Sequence, residues 1–316
     1  MYFCAAMYEL SILIPVYNDN CTPLATELSR QAEAIGELSY EIIVADDCSP
    51  DRAAVAPNRA VNALPHGRYI ERPQNVGSAA NRNLLAQESR YEWLLFVDCD
   101  MDISSPDFLR RYLSEAATAG ADVIMGGIAI GGDAETLATN LRYRYEKHHE
   151  PHHTAPERSR RPFQSFRSCN FLIRRATLLS CPFDERFQKS GYEDVLLGKQ
   201  LKAAGAVMRH VDNPVLMTRY ETNGDYINKV ERSLRTLHAF RHDLKGYSRL
   251  LTTADGIHLG VVRRLLALAF RLFGPLVRRR LCGRHPSLRL FDAYRLGYLL
   301  EIRDKRYCLR QLSIKH

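Results

Sequence analysis

A chain of 316 residues, 46% hydrophobic and 25% charged, suits one large α/β domain with an appendage, or two domains. It excludes wholesale disorder, collagen and a coiled-coil rod. No apolar run approaches the roughly eighteen residues a membrane-spanning helix needs, and MYFCAAMYELSILIPVYN has no basic stretch ahead of an apolar core, unlike a secretory leader. The net charge of +8 is uneven: from Arg241 to His316 there are 17 Lys and Arg against 5 Asp and Glu, leaving the first 240 residues mildly acidic. The eight cysteines, at positions 4, 21, 48, 99, 169, 181, 282 and 308, form no C-x-x-C pair and read as reduced thiols of a cytosolic chain.

Short apolar runs at 9–17, 40–45, 92–97 and 121–125 suit buried parallel strands. Between them, 22–36, 77–89 and 106–119 read as helices, the first and last closing at Gly36 and Gly120. Strands alternating with helices predict a doubly wound, mainly parallel sheet of the Rossmann-like kind, whose ligands sit at the carboxyl ends of the strands. From about 134 to 165 a helical start runs into a His-, Arg- and Pro-rich stretch that reads as a mobile loop, placed to act as a lid. SCNFLIRR then reads as a strand, 191–205 as a helix closing at Gly205, 226–246 as a polar amphipathic helix, and 259–281 as apolar blocks between arginines. The predicted division is a catalytic domain over 1–225 and a helical, basic region over 226–316.

Asp98-x-Asp100 follows a strand, so its carboxylates leave on one side, where a divalent cation relieves their repulsion. Hard oxygen ligands suit Mg²⁺ or Mn²⁺, and such ions usually take further oxygens from a substrate phosphate. An acidic turn is the plainer reading of the same residues; Asp102 either joins the cluster or caps the next helix. Asp46-Asp47 ends another strand, as a turn or as a carboxylate for a nucleobase imide or ribose hydroxyl. In Asn75-x-Gly77-x₄-Arg82-Asn83, a glycine opens a helix with an arginine one turn in, suiting phosphates or simple capping. Gly191-Tyr192-Glu193-Asp194 opens a helix, where a carboxylate is held as the anion, whether as a cap or as a general base. His148, His149, His152 and His153 have no Cys or acid spacing around them and read as a solvated loop cluster.

Taken in order, Pro15-Val16-Tyr17-Asn18, Asp46-Asp47-x-Ser49-x-Asp51, Asn75-x-Gly77 with Arg82-Asn83, Asp98-x-Asp100, and Gly191-x-Glu193-Asp194 with Leu197 resemble the family 2 glycosyltransferases, inverting enzymes of GT-A fold. Ser168-Cys169-Asn170 followed by Arg174-Arg175 fits the stretch before their Glu-Asp motif, and the resemblance covers roughly residues 8–215. It implies a nucleotide-sugar donor, with UDP the first choice, and a glycan or lipid-linked acceptor. Pro15, Val16, Tyr17, Asn18, Asp46, Asp47, Gly77, Arg82, Asp98 and Cys99 would bind the donor nucleotide, and Asp98 and Asp100 a divalent cation (Mn²⁺ or Mg²⁺). Asp194, with Glu193 beside it, would be the acceptor's base; Asn170 and Tyr192 would face the acceptor or lid. Two departures stand out. Met101 separates the pair from Asp102, and NPVLMTRYE carries Met217, Thr218 and Arg219 where some relatives carry a metal-binding histidine.

The basic tail lacks a nucleic-acid module, since its arginines alternate with Leu, Phe and Val; no nucleic-acid partner is expected. LLALAFRLFGPLV flanked by arginines suits a helix in an anionic membrane interface, or one packed on the catalytic domain. The expectation is a cytoplasmic enzyme, peripheral on the cytosolic face of a membrane, in bacterial cell-envelope polysaccharide synthesis. The alternative is a non-catalytic or nucleotidyltransferase-type nucleotide-sugar-binding protein, though the Gly-rich N-terminal loop of the latter is missing.

Overall fold

The computed structural model describes residues 8–118, 120–188 and 191–313. Cys4 and the side chain of Cys308 lie outside the described residues, and the other six cysteines are free thiols. Contacts divide the chain into two compact units. The first runs to Gly131 and resumes over Glu150–Gln188 and Glu193–Arg219. The second takes Gly132–His149, Gly191 and Tyr192, and the chain from Tyr220 onward. The units therefore interleave in sequence, with the last crossing at 219/220 and not at a single cut after 225.

The first unit is built on a seven-stranded sheet in the order β3-β2-β1-β4-β7-β5-β8. Its strands are β1 (Tyr8–Val16), β2 (Leu38–Asp46), β3 (Gly67–Glu71), β4 (Trp93–Val97), β5 (Val123–Met125), β7 (Asn170–Arg174) and β8 (Met208–His210). All pairs are parallel except those that β7 makes with β4 and β5. The helices of this unit are α1 (Thr22–Glu33), α2 (Arg52–Val55), α3 (Ser78–Glu88), α4 (Phe108–Ala117), α6 (Ala155–Ser159), α7 (Arg175–Ser180) and α8 (Glu193–Ala203). Leu10, Ile12, Leu13, Ile14, Ile42, Ile43, Leu94, Leu95 and Phe96 are fully buried; central strands covered on both faces must be apolar throughout. The one polar residue at the centre of β1, Ser11, donates to the buried Glu41 at 2.6 Å.

Chain order reverses at β1, which lies between β2 and β4, and open parallel sheets bind ligands at such a switch point. The register there is exact enough to set the site. Val16 pairs with Asp46 and Leu13 with Phe96, so the turns after β1, β2 and β4 open on one edge. The antiparallel β7 runs back from that edge, pairing Val97 with Asn170. A second, two-stranded parallel sheet joins β6 (Ile128–Ile130) to β9 (Val215–Met217), and β9 also bridges to Asp102 through Leu216.

The stretch 134–165 departs from the expected mobile loop. It contains α5 (Leu141–His149), α6 and two short 3-10 turns. Arg158 explains the order on the α6 side: nearly fully buried, it donates to the carbonyls of Met125, Gly126, His153 and Val211. Within the second unit, His148 and His149 meet edge to face with ring centroids 5.1 Å apart. His149 Nδ1 lies 2.8 Å from the Tyr145 carbonyl, whereas His153 Nε2 lies 3.4 Å from Arg167.

The second unit gathers α5, α9 (Asn223–Ala239), α10 (Arg249–Asp255), α11 (Gly260–Leu281) and α12 (Leu288–Ser313). Leu141, Tyr226, Ile227, Leu281, Phe291 and Tyr294 form its core. Glu231 receives Arg278 at 3.1 Å and the Tyr294 hydroxyl at 2.7 Å. Along α11, Ala267, Gly274 and Leu281 are buried and Phe270 meets Tyr294 and Tyr298 edge to face. The helix keeps a second apolar stripe exposed: Val261, Leu265, Leu268, Leu272, Phe273 and Leu276. Among the described residues no helix is long and apolar enough to cross a membrane.

Candidate active site

Four turns meet at the switch-point edge. After β1, Tyr17 is half exposed and Asn18 takes a left-handed φ of 54°, which asparagine tolerates better than most residues. The Asn18 amide donates to Ser49 Oγ at 2.7 Å and its Oδ1 accepts from the Asp51 amide at 3.1 Å. The β1 and β2 turns are thereby tied together. Pro15 is partly buried and Val16 fully buried, so both support the turn from beneath.

Asp46 and Asp47 do not present free carboxylates to a nucleotide, contrary to the expectation. Asp46 is fully buried and accepts from the Ser49 hydroxyl and from its amide at 3.2 Å. Asp47 is buried and accepts from the amides of Val76 and Gly77 at 2.9 and 2.8 Å. Two backbone donors on one carboxylate hold the 75–77 loop in place. Gly77 has φ +92°, and a Cβ there would stand 2.5 Å from the Gln188 carbonyl oxygen, so both backbone conformation and space require glycine.

Arg82 also departs from its expected role. One turn into α3 it is buried, with Nη2 2.6 Å from Asp98 Oδ1 and Nη1 3.8 Å from Glu193 Oε1. Burial works against its charge, and the two carboxylates more than offset that. Arg82 thus serves as an internal counter-ion beneath the edge. Glu193 is buried and accepts from Ser78 Oγ at 2.8 Å. Its carboxylate faces inward, onto Ser78 and Arg82.

Asp194, the next residue on α8, is half-buried and accepts from the Val195 amide at 2.7 Å. Burial first, and the Glu193 charge second, push its carboxyl up to about 7. Such a group changes protonation near neutrality, as a general base must. Asp98, Asp100 and Cys99 are half-buried in the turn after β4, where the Asp98 amide donates to the Cys169 carbonyl at 3.0 Å. Burial pushes the Cys169 thiol up, and the charges of Asp98, Asp100 and Asp194 add to it against Arg167. Arg82 reaches both Asp98 and Glu193, the neighbour of Asp194, which places the two acidic motifs on a common edge.

Two further residues belong to this edge. Arg219 Nη1 lies 2.6 Å from Asp19 Oδ1, and its Nη2 donates to the Cys99 carbonyl at 2.8 Å. Asp19 follows the Pro15–Asn18 turn directly, which was its sequence signal; no spacing rule pointed to its pairing with a residue two hundred positions on. Asp102 neither joins the acidic pair nor caps α4. Its backbone bridges Leu216, and its side chain accepts from Thr218 Oγ1.

Asn170, expected near the acceptor, is fully buried. Its amide donates to the carbonyls of Gly127 and Asn213 at 2.8 and 2.9 Å, and its Oδ1 accepts from the Tyr112 hydroxyl at 2.6 Å. With these groups engaged it braces β7. Tyr192 is half-buried with φ 71°, a strained value for a tyrosine, and groups with the second unit.

The oxygen donors at the edge fit a shared ion better than a resident one. Among the described residues no cluster of three or more His, Cys, Asp or Glu is placed to hold a metal. Asp100, with the second Asp98 oxygen, would supply the one or two carboxylates that Mg²⁺ or Mn²⁺ takes when phosphates and water complete its shell.

Residues 11–183 match the profile of Glycosyl transferase family 2. The chain is 30% identical over 125 residues to the succinoglycan biosynthesis protein ExoO of Rhizobium meliloti, covering 39% of this chain and 34% of that one. In fold it is similar to the mannosyltransferase PcManGT of Pyrobaculum calidifontis, solved with GDP-Man and Mn²⁺, at TM-score 0.52 and 13% identity over 94% of this chain and 87% of that one. It is likewise similar to S. aureus TarS 1-349 in complex with UDP, at TM-score 0.50 and 17% identity over 94% and 91% of the two chains. The chain spans about a third of the length of the first curated relatives it matches. The profile match covers more than half of the sequence, and the mainly parallel sheet carries its acidic motifs on the expected strands; the chain belongs to glycosyl transferase family 2 and has the GT-A-type fold.

Proposed function

We propose that the chain transfers a sugar from a nucleotide-sugar donor, with UDP-sugars the first to test, to a hydroxyl of a glycan or lipid-linked acceptor, with inversion at the anomeric carbon. The observation that carries this reading is Asp194: a half-buried carboxyl raised to about 7 on the edge that also bears Asp98 and Asp100. Asp194 takes the proton from the acceptor hydroxyl as its oxygen bonds to the anomeric carbon, and the bond from that carbon to the diphosphate breaks on the opposite face. With the acceptor oxygen itself as the nucleophile, the reaction is a single displacement, hence inversion. Arg82 holds the Asp98 carboxylate and, with Ser78, the Glu193 carboxylate, so the start of α8 and the turn after β4 keep a fixed spacing. A divalent cation at Asp100 and Asp98, when bound, supplies positive charge for the leaving diphosphate.

The exposed apolar stripe of α11, in a tail with a balance of +12, supports a peripheral seat on an anionic membrane surface. The cytosolic face and a lipid-linked acceptor of bacterial envelope polysaccharide synthesis accord with it. A panel of UDP- and GDP-sugars incubated with Mn²⁺ and lipid-linked or soluble glycan acceptors tests the activity. Release of nucleoside diphosphate that depends on acceptor supports the reading; no release from any donor, with Asp194→Asn indistinguishable from wild type, overturns it.

A further inference from the structure

We propose that Arg219 binds the diphosphate of the donor, and that Asp19 holds its guanidinium at the site until the phosphate arrives. The inference rests on the donor reading above and adds a protein cation beside the divalent ion. Arg82, the arginine the motif spacing points to, is buried and committed to Asp98 and Glu193. A diphosphate brought to an edge bearing Asp19, Asp98 and Asp100 therefore needs another positive group. Arg219 supplies it. Its side chain is 44% exposed, and two of its five N–H donors engage Asp19 and the Cys99 carbonyl, the peptide oxygen between Asp98 and Asp100. The planar fork that remains suits phosphate oxygens better than an ammonium would.

The fold also fixes where this guanidinium starts. Leu216 exchanges backbone hydrogen bonds with Asp102 at 2.8 and 2.9 Å, and Thr218 donates to the Asp102 carboxylate. On its other edge β9 pairs with β6. Arg219 therefore leaves a segment stitched to the very turn that carries the acidic pair. Asp19 completes the arrangement. Burial pushes its carboxyl up and the Asp100 charge adds to that, while the Arg219 charge and the Asn20 amide pull the other way. A phosphate dianion competes with this carboxylate for the same guanidinium, and a held, pre-oriented cation loses less entropy on binding than a free one.

The test is calorimetric titration of the full chain with UDP, GDP, uridine and guanosine, with Mn²⁺ and again in EDTA. For whichever nucleoside diphosphate the wild type binds, Arg219→Ala weakens binding by about ten- to a hundredfold, the size of a lost charge-assisted hydrogen bond. The matching nucleoside binds within about threefold of wild type, and Arg219→Lys recovers part of the loss. Unchanged diphosphate binding by Arg219→Ala overturns the proposal. So does an equal loss for diphosphate and nucleoside, which would make Arg219 only a prop for the turn. Wild-type protein that binds neither UDP nor GDP overturns the donor reading itself, an outcome distinct from a failure at Arg219.

Discussion

Arg82 and Asp98 sit 2.6 Å apart beneath the acidic edge, with Glu193 on the far side of the same guanidinium at 3.8 Å. One buried cation thus joins α3, the turn after β4 and the start of α8, three segments that no sequence neighbourhood connects. Arg82→Ala leaves two inward-facing carboxylates without their counter-ion. The expected loss of stability is about 3–5 kcal/mol, measured by urea unfolding. A shift below about 1 kcal/mol would mean that water screens the pair.

Asp194→Asn keeps shape and removes the proton acceptor. Turnover is expected to fall about 10²- to 10⁴-fold with donor affinity little changed, read by steady-state kinetics and titration. Near-normal turnover would remove Asp194 from the mechanism.

The same residue predicts two pH effects. Wild-type turnover falls as pH drops below about 7, where the Asp194 carboxyl takes up its proton. For stability the sign is set by proton counts. The folded chain holds this proton to a higher pH than the unfolded chain, whose Asp titrates near about 4, so the group's contribution to stability falls as pH rises across that window. Asp194→Asn should accordingly raise Tm more at pH 8 than at pH 5; the reverse order would show that burial does not disfavour the ionised form.

Asp100→Ala should weaken Mn²⁺-dependent binding of the donor while leaving circular dichroism and Tm near wild type. The Asp98–Arg82 pair remains intact in this variant. UDP binding equally tight with Mn²⁺ and in EDTA, in both proteins, would remove the ion from the site.

The α11 stripe predicts binding to anionic vesicles that weakens with salt and persists in part, because the apolar contribution is unscreened. Arginines near the surface contribute about 1 kcal/mol each. Arg271 and Arg278 are excluded from that role in part, since they pair with Asp304 at 2.9 Å and Glu231 at 3.1 Å. Leu272→Glu with Leu276→Glu, on the exposed face, should abolish co-sedimentation without unfolding the chain. Sedimentation as in wild type would make the stripe irrelevant to membranes.

The acidic edge was legible because short apolar runs ending in Asp state where strands stop and what stands there. Which way each side chain turns was not legible. Asp46 and Ser49 read as turn formers or ligands, and only the fold reveals that the hydroxyl closes on the buried carboxylate. Asn170 carries a ligand-like amide, yet three partners from distant segments enclose it. The strand β3 was missed because GRYIE lies at the edge of the sheet, where no continuous apolar run is required. The stretch 134–165 read as loop because the order of its α6 side comes from one buried arginine on backbone carbonyls, an arrangement without periodicity.

The bridge between Asp102 and Leu216 carries a consequence for how this chain tolerates change in length. Side chains alternate along an extended segment, so adding or deleting one residue between Val215 and Arg219 turns the guanidinium to the opposite side of β9 and moves it by about 3.3 Å. The connection before β9 offers no slack either, because the amides of Val211, Asn213 and Val215 donate to the carbonyls of Met125, Gly126 and Gly127 and Asn213 is buried. A scan of single-residue insertions from 211 to 219 should therefore divide at Met217: variants upstream lose stability, read as a lowered Tm, and those downstream fold but lose nucleotide binding.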